Sequence, residues 1–454
     1  MSLKELREKH PTFTYESYHI KKKGNGLYIK FLFRLGPNIE FKPGLFIPKV
    51  KLTNLSEIEN FVFHLGLIES ISYWKSACSP KFIVKAGNLL PEQLVWWKDL
   101  IFNGLGEFFY RNGIRPSSDF VELLSDSNQG LPMVNNHNLV GDLILTSGGK
   151  DSAVTLEILS KIRHQQLHLL INPTEAAIQN VKLAGHKNSL TIIRDIDPKL
   201  LELNQKKYLN GHTPFSAYLA FLGILVAHVL RYKSVIVSNE RSSNEANIDS
   251  NNYIINHQYS KSYEFEKKFK DYLSKFLVKK IDYFSFLRPL YDLQVAQLFS
   301  GYAKYHTIFR SCNRGQKDNT WCGNCPKCAF SFLVLFPFLD MEQILLIFGE
   351  NYFQKVGLRE FFYMLVGLRK NKPFECVGTY NESILAIALS IKKYGNNGKD
   401  TIPQLLTELE DALKLSDNKI KELENLVLNA WNNENFLPQE FATILKQTYG
   451  RVKR

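Results

Sequence analysis

The residues best suited to chemistry lie in one segment, residues 143–159, which begins Leu-Ile-Leu-Thr-Ser-Gly-Gly-Lys-Asp-Ser. Its apolar start predicts a buried strand, two glycines follow, and Val154 and Ile158 then recur at helical spacing. A loop that leads from a strand into a helix presents backbone N–H groups that bind anions. Ser147, Lys150 and Ser152 would add donors, so the segment predicts a phosphate-binding loop.

The loop has neither the spacing of a Walker A motif nor that of a GxGxxG dinucleotide motif. Ser-Gly-Gly-Lys-Asp-Ser instead resembles the SGGxDS motif of the PP-loop ATP pyrophosphatases, which cleave ATP between the α and β phosphates and adenylate a substrate oxygen. An ordinary glycine-rich turn is the alternative, although such a turn does not require Lys, Asp and two Ser together. The resemblance implies ATP as a substrate, with Asp151 near Mg²⁺. The predicted nucleotide-binding residues are Ser147, Gly148, Gly149, Lys150, Asp151, Ser152 and, at the end of a later strand, Asn172.

Four of the six cysteines, Cys312, Cys322, Cys325 and Cys328, are spaced C-x9-C-x2-C-x2-C. The short intervals bring three thiolates within reach of one ion, and the first cysteine completes a tetrahedron. Four sulfur ligands favour a structural zinc ion, because no coordination position is left open for catalysis. An iron–sulfur cluster fits the same ligands, and chance clustering is a third reading.

Groups suited to proton transfer and substrate binding follow the loop in the sequence. Residues 239–247 place Glu240, Arg241 and Asn247 after a predicted strand, where substrate or Mg²⁺ would bind in a parallel sheet. His257 and Lys261 share a face if their segment is helical, and both are usable acid–base groups. A helix cap, a solvated loop or a structural histidine would explain the same residues. Cys376 stands beside a carboxylate in the turn 372–378, and a buried structural cysteine explains it equally well.

The elements that must position these groups alternate between residues 142 and 289, with short buried strands near residues 167–171, 191–193 and 234–238. This pattern predicts an α/β fold with a doubly wound parallel sheet. A hairpin around residues 23–26 and capped helices predict an N-terminal α+β domain, residues 1–125, and residues 125–138 predict a linker. The predicted domains are 1–125, 139–300 for nucleotide binding, and 301–454 for the cysteine quartet and a helical region.

Composition narrows the class of protein. A chain of 454 residues that is 44% hydrophobic and 22% charged is expected to be globular, with two or three domains. The formal charge of +13 attracts phosphates or nucleic acids, yet no nucleic-acid motif accompanies it, so solvated lysines are the expected explanation and a tRNA-sized partner the alternative. The N-terminus lacks the apolar core of a signal peptide, and residues 214–230 are too few for a membrane span. We therefore expect a cytoplasmic protein without membrane insertion.

Several segments carry a more specific resemblance. The loop and the cysteine quartet together resemble the 7-cyano-7-deazaguanine synthase branch of PP-loop enzymes. Residues 103–113, 210–217, 238–242, 256–262, 309–314 and 372–378 are similar to the MurL family of UDP-N-acetyl-α-D-muramoyl-L-alanyl-L-glutamate epimerases. The first 50 and last 60 residues carry little of this likeness. The loop departs from the family at Ser147, where the family has Gly, but Ser is the general PP-loop residue at this position.

The MurL resemblance implies an ATP- and Mg²⁺-dependent inversion of the terminal L-Glu of UDP-MurNAc-L-Ala-L-Glu through an acyl-adenylate, in peptidoglycan precursor synthesis. It implies a PP-loop nucleotide domain of the adenine nucleotide alpha hydrolase-like type. The preferred proton-transfer residues are His257 and Lys261, with Cys376 and Glu240 as further candidates, and Arg111, Arg241 and Asn247 are expected to bind the substrate. A PP-loop enzyme that modifies a deazapurine or tRNA base is the main alternative, and a non-catalytic nucleotide-binding protein is another. The sequence indicates no oligomeric state.

Overall fold

A computed structural model describes residues 1–50, 52, 54–125, 130–134, 138–250, 253–397 and 402–452. Half of the predicted linker 125–138, namely residues 126–129 and 135–137, lies outside these residues. The strands are β1 Thr12–Lys23, β2 Gly26–Leu35, β3 Ile39–Phe41, β4 Gly44–Ile47, β5 Lys81–Val84, β6 Glu122–Ser125, β7 Asp142–Leu145, β8 Gln166–Ile171, β9 Ser189–Asp195, β10 Ser234–Val237, β11 Ile248–Ser250, β12 Tyr253–Ile255 and β13 Asp282–Ser285.

The helices are distributed along the whole chain and dominate its last third. They are α1 Leu3–Lys9, α2 Glu59–Trp74, α3 Pro91–Gly104, α4 Gly106–Arg111, α5 Lys150–Leu159, α6 Glu175–Leu183, α7 Pro198–Gln205, α8 Phe215–Leu230, α9 Tyr263–Tyr272, α10 Asp292–Ser300, α11 Pro326–Leu335, α12 Met341–Phe348, α13 Arg359–Leu365, α14 Tyr380–Asn397, α15 Gln404–Leu413, α16 Asp417–Val427 and α17 Gln439–Val452. Among the described residues, no helix is both long enough and apolar enough to cross a membrane.

One large sheet organises the molecule, with the strand order β13-β10-β7-β8-β9-β4-β2-β1-β5-β6 and β3 paired to β2. Strands β13 to β9 are parallel, as the sequence predicts. At β9 the direction changes, because β4 pairs with it antiparallel and brings Phe46 opposite Ile193. The parallel sheet predicted for the nucleotide domain is therefore only part of a mixed sheet, since the N-terminal strands extend it in a mainly antiparallel arrangement. The division of the chain into three domains stays a prediction.

Strand β7 shows why the middle of the sheet is buried. Its side chains alternate between two apolar layers, with Leu143 and Leu145 in one cluster and Ile144 in the other. The first layer includes α2 and α8, and the second includes α5, α10 and α11. Burial of both faces is what a strand with helices on each side requires, and it explains the unbroken Leu-Ile-Leu run before the loop.

Two helical segments of the sequence are interrupted in the structure. Helix α3 ends at Gly104, and α4 begins separately at Gly106. The apolar segment 333–347 is divided near Pro337, which cannot continue an α-helix. His257 and Lys261 do not share an α-helical face, because residues 259–261 form one short 3₁₀ turn.

Candidate active site

A cleft of about 450 Å³ lies at the carboxyl ends of β7, β8 and β10. The glycine-rich loop forms one wall through Ser147, Gly148, Asp151 and Ser152. Apolar side chains form another part of the lining: Leu169, Ile171, Phe215 and Leu219. A cleft of this size with both polar and apolar lining suits a nucleotide with its phosphates on the loop and its base on the apolar surface.

The loop is rigidly built. The Ser152 hydroxyl accepts the backbone N–H of Ser147 at 2.9 Å and lies 3.0 Å from the Ser147 hydroxyl. A Cβ on Gly148 would lie 2.7 Å from the Ala176 Cβ, so only glycine allows the loop to pack against α6. Helix α5 begins after Gly149 without a side-chain cap, which leaves amides of its first turn available to an anion.

The ammonium of Lys150 is held between two carboxylates, and its predicted contact with phosphate stays a prediction. Its ammonium lies 2.6 Å from an Asp151 carboxylate oxygen and 2.8 Å from one of Asp292, and the side chain is 5% exposed. Burial alone would lower the pKa of Lys150, but the two carboxylates raise it above its usual value. Lys150 is therefore a buried cation that holds Asp151 in place, and Asp151 reaches the cleft.

Cys376 lies beside the cleft, within a cluster of cations. Its thiol is 3.2 Å from the ammonium of Lys261, which itself lines the cleft, and Lys327 donates to its backbone carbonyl. Burial opposes ionisation of the thiol, but the charge of Lys261 and a hydrogen bond with His257 lower its pKa well below the usual value. These neighbours therefore favour the thiolate form of Cys376.

His257 joins this thiolate to a buried carboxylate. The His257 Nδ1 lies 2.5 Å from a Glu107 carboxylate oxygen. Burial alone would lower the pKa of His257, but its hydrogen bonds to Cys376 and Glu107 outweigh burial and raise it to about 9. His212 lies 3.5 Å from the same Glu107 oxygen, and burial and the neighbouring His257 lower its pKa to about 3. At neutral pH the pair is thus an imidazolium beside a neutral imidazole.

Glu240 approaches the cluster from the end of β10. Burial, followed by the charges of Asp151 and Asp292, raises the pKa of Glu240 to about 7. The fully buried Arg288 fixes the backbone here, because it donates to the carbonyl of Glu240 at 2.7 Å and to that of Lys261 at 2.5 Å. The structure thus brings together the four predicted proton-transfer residues, His257, Lys261, Glu240 and Cys376, around one end of the cleft.

The three predicted substrate-binding residues differ in where they lie relative to this cluster. Asn247 is part of its framework, because its side chain accepts the His257 N–H at 2.8 Å and donates to the Pro373 carbonyl at 2.5 Å. Arg111 is at its edge, with Nε 2.5 Å from Glu107 and an exposed guanidinium over the Phe374 ring. Arg241 instead stacks on Tyr291 outside the cleft lining.

Asn172 lines the cleft, but its side chain is occupied by hydrogen bonds to the Arg194 backbone. Its amide oxygen accepts from the N–H and its amide nitrogen donates to the carbonyl, both at 2.7 Å. Asn172 therefore shapes the strand end, and a contact with nucleotide would have to use its backbone.

The four predicted cysteine ligands converge, with their sulfur atoms all within 4.8 Å of one another. The Gly315 N–H donates to Cys312 at 3.2 Å and the Cys328 N–H to Cys325 at 3.4 Å. Gly323, inside the first C-x2-C interval, has the positive φ of 56° that such a tight turn needs. Four convergent sulfurs with amide donors fit a tetrahedral zinc ion. The same segment carries Lys327, so the cluster also positions a cation against Cys376.

Comparison with known proteins shows to which family the chain belongs. The sequence model of the MurL N-terminal domain matches residues 4–286, and that of the MurL C-terminal domain matches residues 308–420. The chain belongs to the MurL family. The predicted resemblance to this family is therefore confirmed. The two matched regions contain the glycine-rich loop, Glu240, His257, Lys261, the cysteine quartet and Cys376, whereas Arg288 and Asp292 lie between them.

Curated relatives in the family carry a specific name. A protein of Xanthomonas oryzae pv. oryzae is 30% identical over 380 residues, which cover 82% of this chain and 83% of the relative. A protein of Salinispora tropica is 34% identical over 334 residues, 72% of each chain. Both are named UDP-N-acetyl-α-D-muramoyl-L-alanyl-L-glutamate epimerase. No solved structure matches the chain.

Four members of the site are absent from the residues predicted for it: Glu107, His212, Asp292 and Lys327. Asp292 could have been found from its place after the strand β13, where ligands of parallel sheets bind. Glu107 and His212 lie in segments that the MurL resemblance contains, but only the fold pairs them with His257. Lys327 stands inside the second C-x2-C interval, and nothing in its spacing predicts a contact with Cys376.

We expect one zinc ion per chain at the quartet, and Cys325→Ser should lose it. A structural zinc ion contributes a binding free energy of about 10–16 kcal/mol in zinc-finger peptides, so its loss should lower the unfolding temperature. Metal analysis by mass spectrometry and thermal unfolding measure both effects. Cys78→Ala, which removes a buried cysteine outside the quartet, should keep the zinc. Iron with inorganic sulfide in the wild-type protein would contradict this prediction.

Proposed function

We propose that this protein inverts the terminal L-Glu of UDP-MurNAc-L-Ala-L-Glu to D-Glu in an ATP-dependent reaction that forms AMP. Membership of the MurL family and the name that its relatives carry support this substrate. The single observation that carries the proposal is the position of Cys376, whose sulfur lies 3.2 Å from the Lys261 ammonium at the edge of a cleft built on an SGGKDS loop. An activated glutamyl group in the cleft would lie beside a base.

The cleft is proposed as a PP-loop nucleotide site. The loop hydroxyls and the uncapped amides of α5 would hold the phosphates of ATP, and the apolar wall would hold the adenine. Asp151 reaches the cleft with a carboxylate whose pKa stays low, because Lys150, Lys327 and Lys261 outweigh its burial. Such a carboxylate fits Mg²⁺, which would neutralise phosphate charge.

Activation by ATP solves the chemical difficulty of the reaction. The α-proton of a free glutamate resists removal because the product would carry two negative charges on adjacent groups. Attack of the glutamate α-carboxylate on the α-phosphorus of ATP forms an acyl-adenylate and releases pyrophosphate. The acyl group is then neutral, so its α-proton is far more acidic.

The protonation states assign the proton-transfer roles. Cys376 is the base, because it is the thiolate of the cluster. His257, protonated and hydrogen-bonded to Glu107, is the acid that returns a proton. Lys261 is a less suitable base than the sequence indicates, since its nearby negative groups outweigh burial and raise its pKa, which keeps it an ammonium. Its charge would stabilise the thiolate and then the enolate.

Inversion requires that the proton leave one face of Cα and return to the other. Cys376 and His257 interact directly in this structure, so the substrate Cα must enter between them and separate them. Water then hydrolyses the inverted acyl-adenylate to the D-Glu product and AMP. The overall reaction consumes ATP and water and yields AMP and pyrophosphate, and the epimerised substrate has the same composition as before.

The test is a reaction of the purified protein with ATP, Mg²⁺ and UDP-MurNAc-L-Ala-L-Glu in deuterated water. We expect D-Glu that carries deuterium at Cα, together with AMP, and neither product when ATP is omitted. Chiral analysis of the released glutamate and mass spectrometry measure both. Absence of D-Glu and AMP with this substrate would refute the proposal and direct attention to deazapurine or tRNA acceptors.

The proposed roles also predict a pH dependence. His257 must be protonated to act as the acid, and its pKa is about 9, so kcat should be maintained through neutral pH and fall above pH 9. His257→Gln should lower kcat and remove its fall above pH 9, because glutamine does not titrate. Steady-state kinetics from pH 6 to 10 measure this pH dependence. If kcat of the variant still fell above pH 9, a group other than His257 would be responsible for the fall.

A further inference from the structure

A second cavity lies near the proposed active site and is separate from the nucleotide cleft. It has a volume of about 320 Å³ and shares no lining residue with the cleft. The residues that define its chemistry are Tyr110, Arg115, Ile248, Lys370 and Asn371. Two cations, an aromatic ring and an amide therefore face one space that the proposed ATP chemistry does not use.

Three chain segments connect this cavity to the catalytic cluster. Helix α4 carries Glu107, which contacts His257, and Tyr110 follows one turn later, about 4.5 Å along the helix axis. Ile248 directly follows Asn247, which bonds to the His257 backbone. Asn371 precedes Cys376 by five residues, at most about 18 Å of extended chain. The Asn371 side of the cavity is therefore within about 18 Å of Cys376.

The lining suits a pyrimidine nucleoside diphosphate. Guanidinium and ammonium groups such as those of Arg115 and Lys370 bind phosphate oxygens. The Tyr110 ring is 41% exposed and can stack on a base, and its hydroxyl accepts a hydrogen bond from the Asn371 amide at 3.2 Å. The remaining amide oxygen of Asn371 can accept the imide N–H of a uracil, which cytosine lacks.

We propose that this cavity binds the uridine diphosphate of the substrate, with Tyr110 against the uracil and Arg115 and Lys370 on the diphosphate. The inference rests on the proposed function, because that function supplies a substrate with UDP at one end and glutamate at the other. The muramoyl-alanyl part then passes the Phe374 ring, whose centroid is 5.4 Å from that of Tyr110, and the glutamate reaches Cys376 two residues beyond Phe374.

Calorimetric titration with UDP alone tests the cavity without any catalysis. Arg115→Ala/Lys370→Ala should weaken UDP binding at least about tenfold, which corresponds to about 1.4 kcal/mol. The control Arg163→Ala/Lys206→Ala also removes one arginine and one lysine, both exposed and outside the cavity lining, and should leave UDP binding unchanged. Tyr110→Leu should weaken UDP binding but not pyrophosphate binding. A saturating non-hydrolysable ATP analogue should leave the UDP affinity unchanged.

Kinetics distinguish failure of this inference from failure of the proposed function. With UDP-MurNAc-L-Ala-L-Glu, the Arg115/Lys370 variant should raise KM at least about tenfold with kcat nearly retained. Epimerisation with equal UDP affinity in wild type and variant would overturn the cavity assignment and leave the function standing. UDP binding that depends on Arg115 and Lys370, without any epimerisation, would support the cavity and refute the proposed reaction. Displacement of UDP by the ATP analogue would place UDP in the cleft and overturn the inference.

Discussion

Cys376→Ser is expected to lower the rate of inversion by about 10²–10⁴-fold, the range that a positioned acid–base group contributes. A serine hydroxyl has nearly the same size but remains protonated where the thiol is ionised, so it cannot act as the base. Exchange of the glutamate Cα proton with solvent deuterium should fall by the same factor. Formation of AMP and pyrophosphate should continue, because the loop and Asp151 are unchanged.

Loss of Cα proton exchange with retention of adenylation would show that Cys376 acts in proton transfer and not in activation of the substrate. Exchange is measured by mass spectrometry of the recovered substrate, and adenylation by pyrophosphate release in the same sample. Cys78→Ala is the matched control, since it removes the other cysteine outside the quartet and should retain both activities. If Cys376→Ser exchanged the Cα proton at the wild-type rate, the base would have to be Glu240 or another group.

Asp151→Asn should abolish both half-reactions, with AMP formation at least about 10²-fold lower. The substitution keeps the size of the side chain but removes the carboxylate that fits Mg²⁺, and adenylation needs the metal to neutralise the phosphates. The fold should be retained, because Lys150 keeps its ion pair with Asp292. Circular dichroism and thermal unfolding of the variant measure whether it is.

The control for this variant is Asp271→Asn, which changes an exposed carboxylate on α9 and should leave AMP formation unchanged. Titration of Mg²⁺ adds a second readout, since the variant should need a higher Mg²⁺ concentration for any residual activity. Normal AMP formation by Asp151→Asn at limiting Mg²⁺ would contradict the metal assignment.

Local patterns in the sequence predict much of the site. The apolar run, the glycines and the polar loop residues predict β7, the turn and α5, because each depends on contacts within a few residues. The cysteine spacing predicts a sulfur cluster for the same reason. Cys376, His257, Lys261 and Glu240 are all identified as candidates, and the structure places them at one end of the cleft.

The predictions fail where distant segments decide the outcome. No local pattern in residues 44–47 predicts the pairing of β4 with β9, which turns a parallel sheet into a mixed one. The ion pairs of Lys150 could not be predicted either, because Asp292 comes from α10, far along the chain. The protonation states of His257 and Cys376 depend on Glu107 and on each other, which no spacing reveals.

The pairing of His257 with Glu107 and of Lys261 with Cys376 affects the order in which the protein folds. These contacts join residues 150 and 115 positions apart, so the cluster cannot form until the segments that carry Glu107 and Cys376 have both packed against the one that carries His257 and Lys261. Closing such long loops is slow compared with helix formation. During refolding, secondary structure should therefore return before enzymatic competence, and an N-terminal fragment released during translation would be catalytically silent.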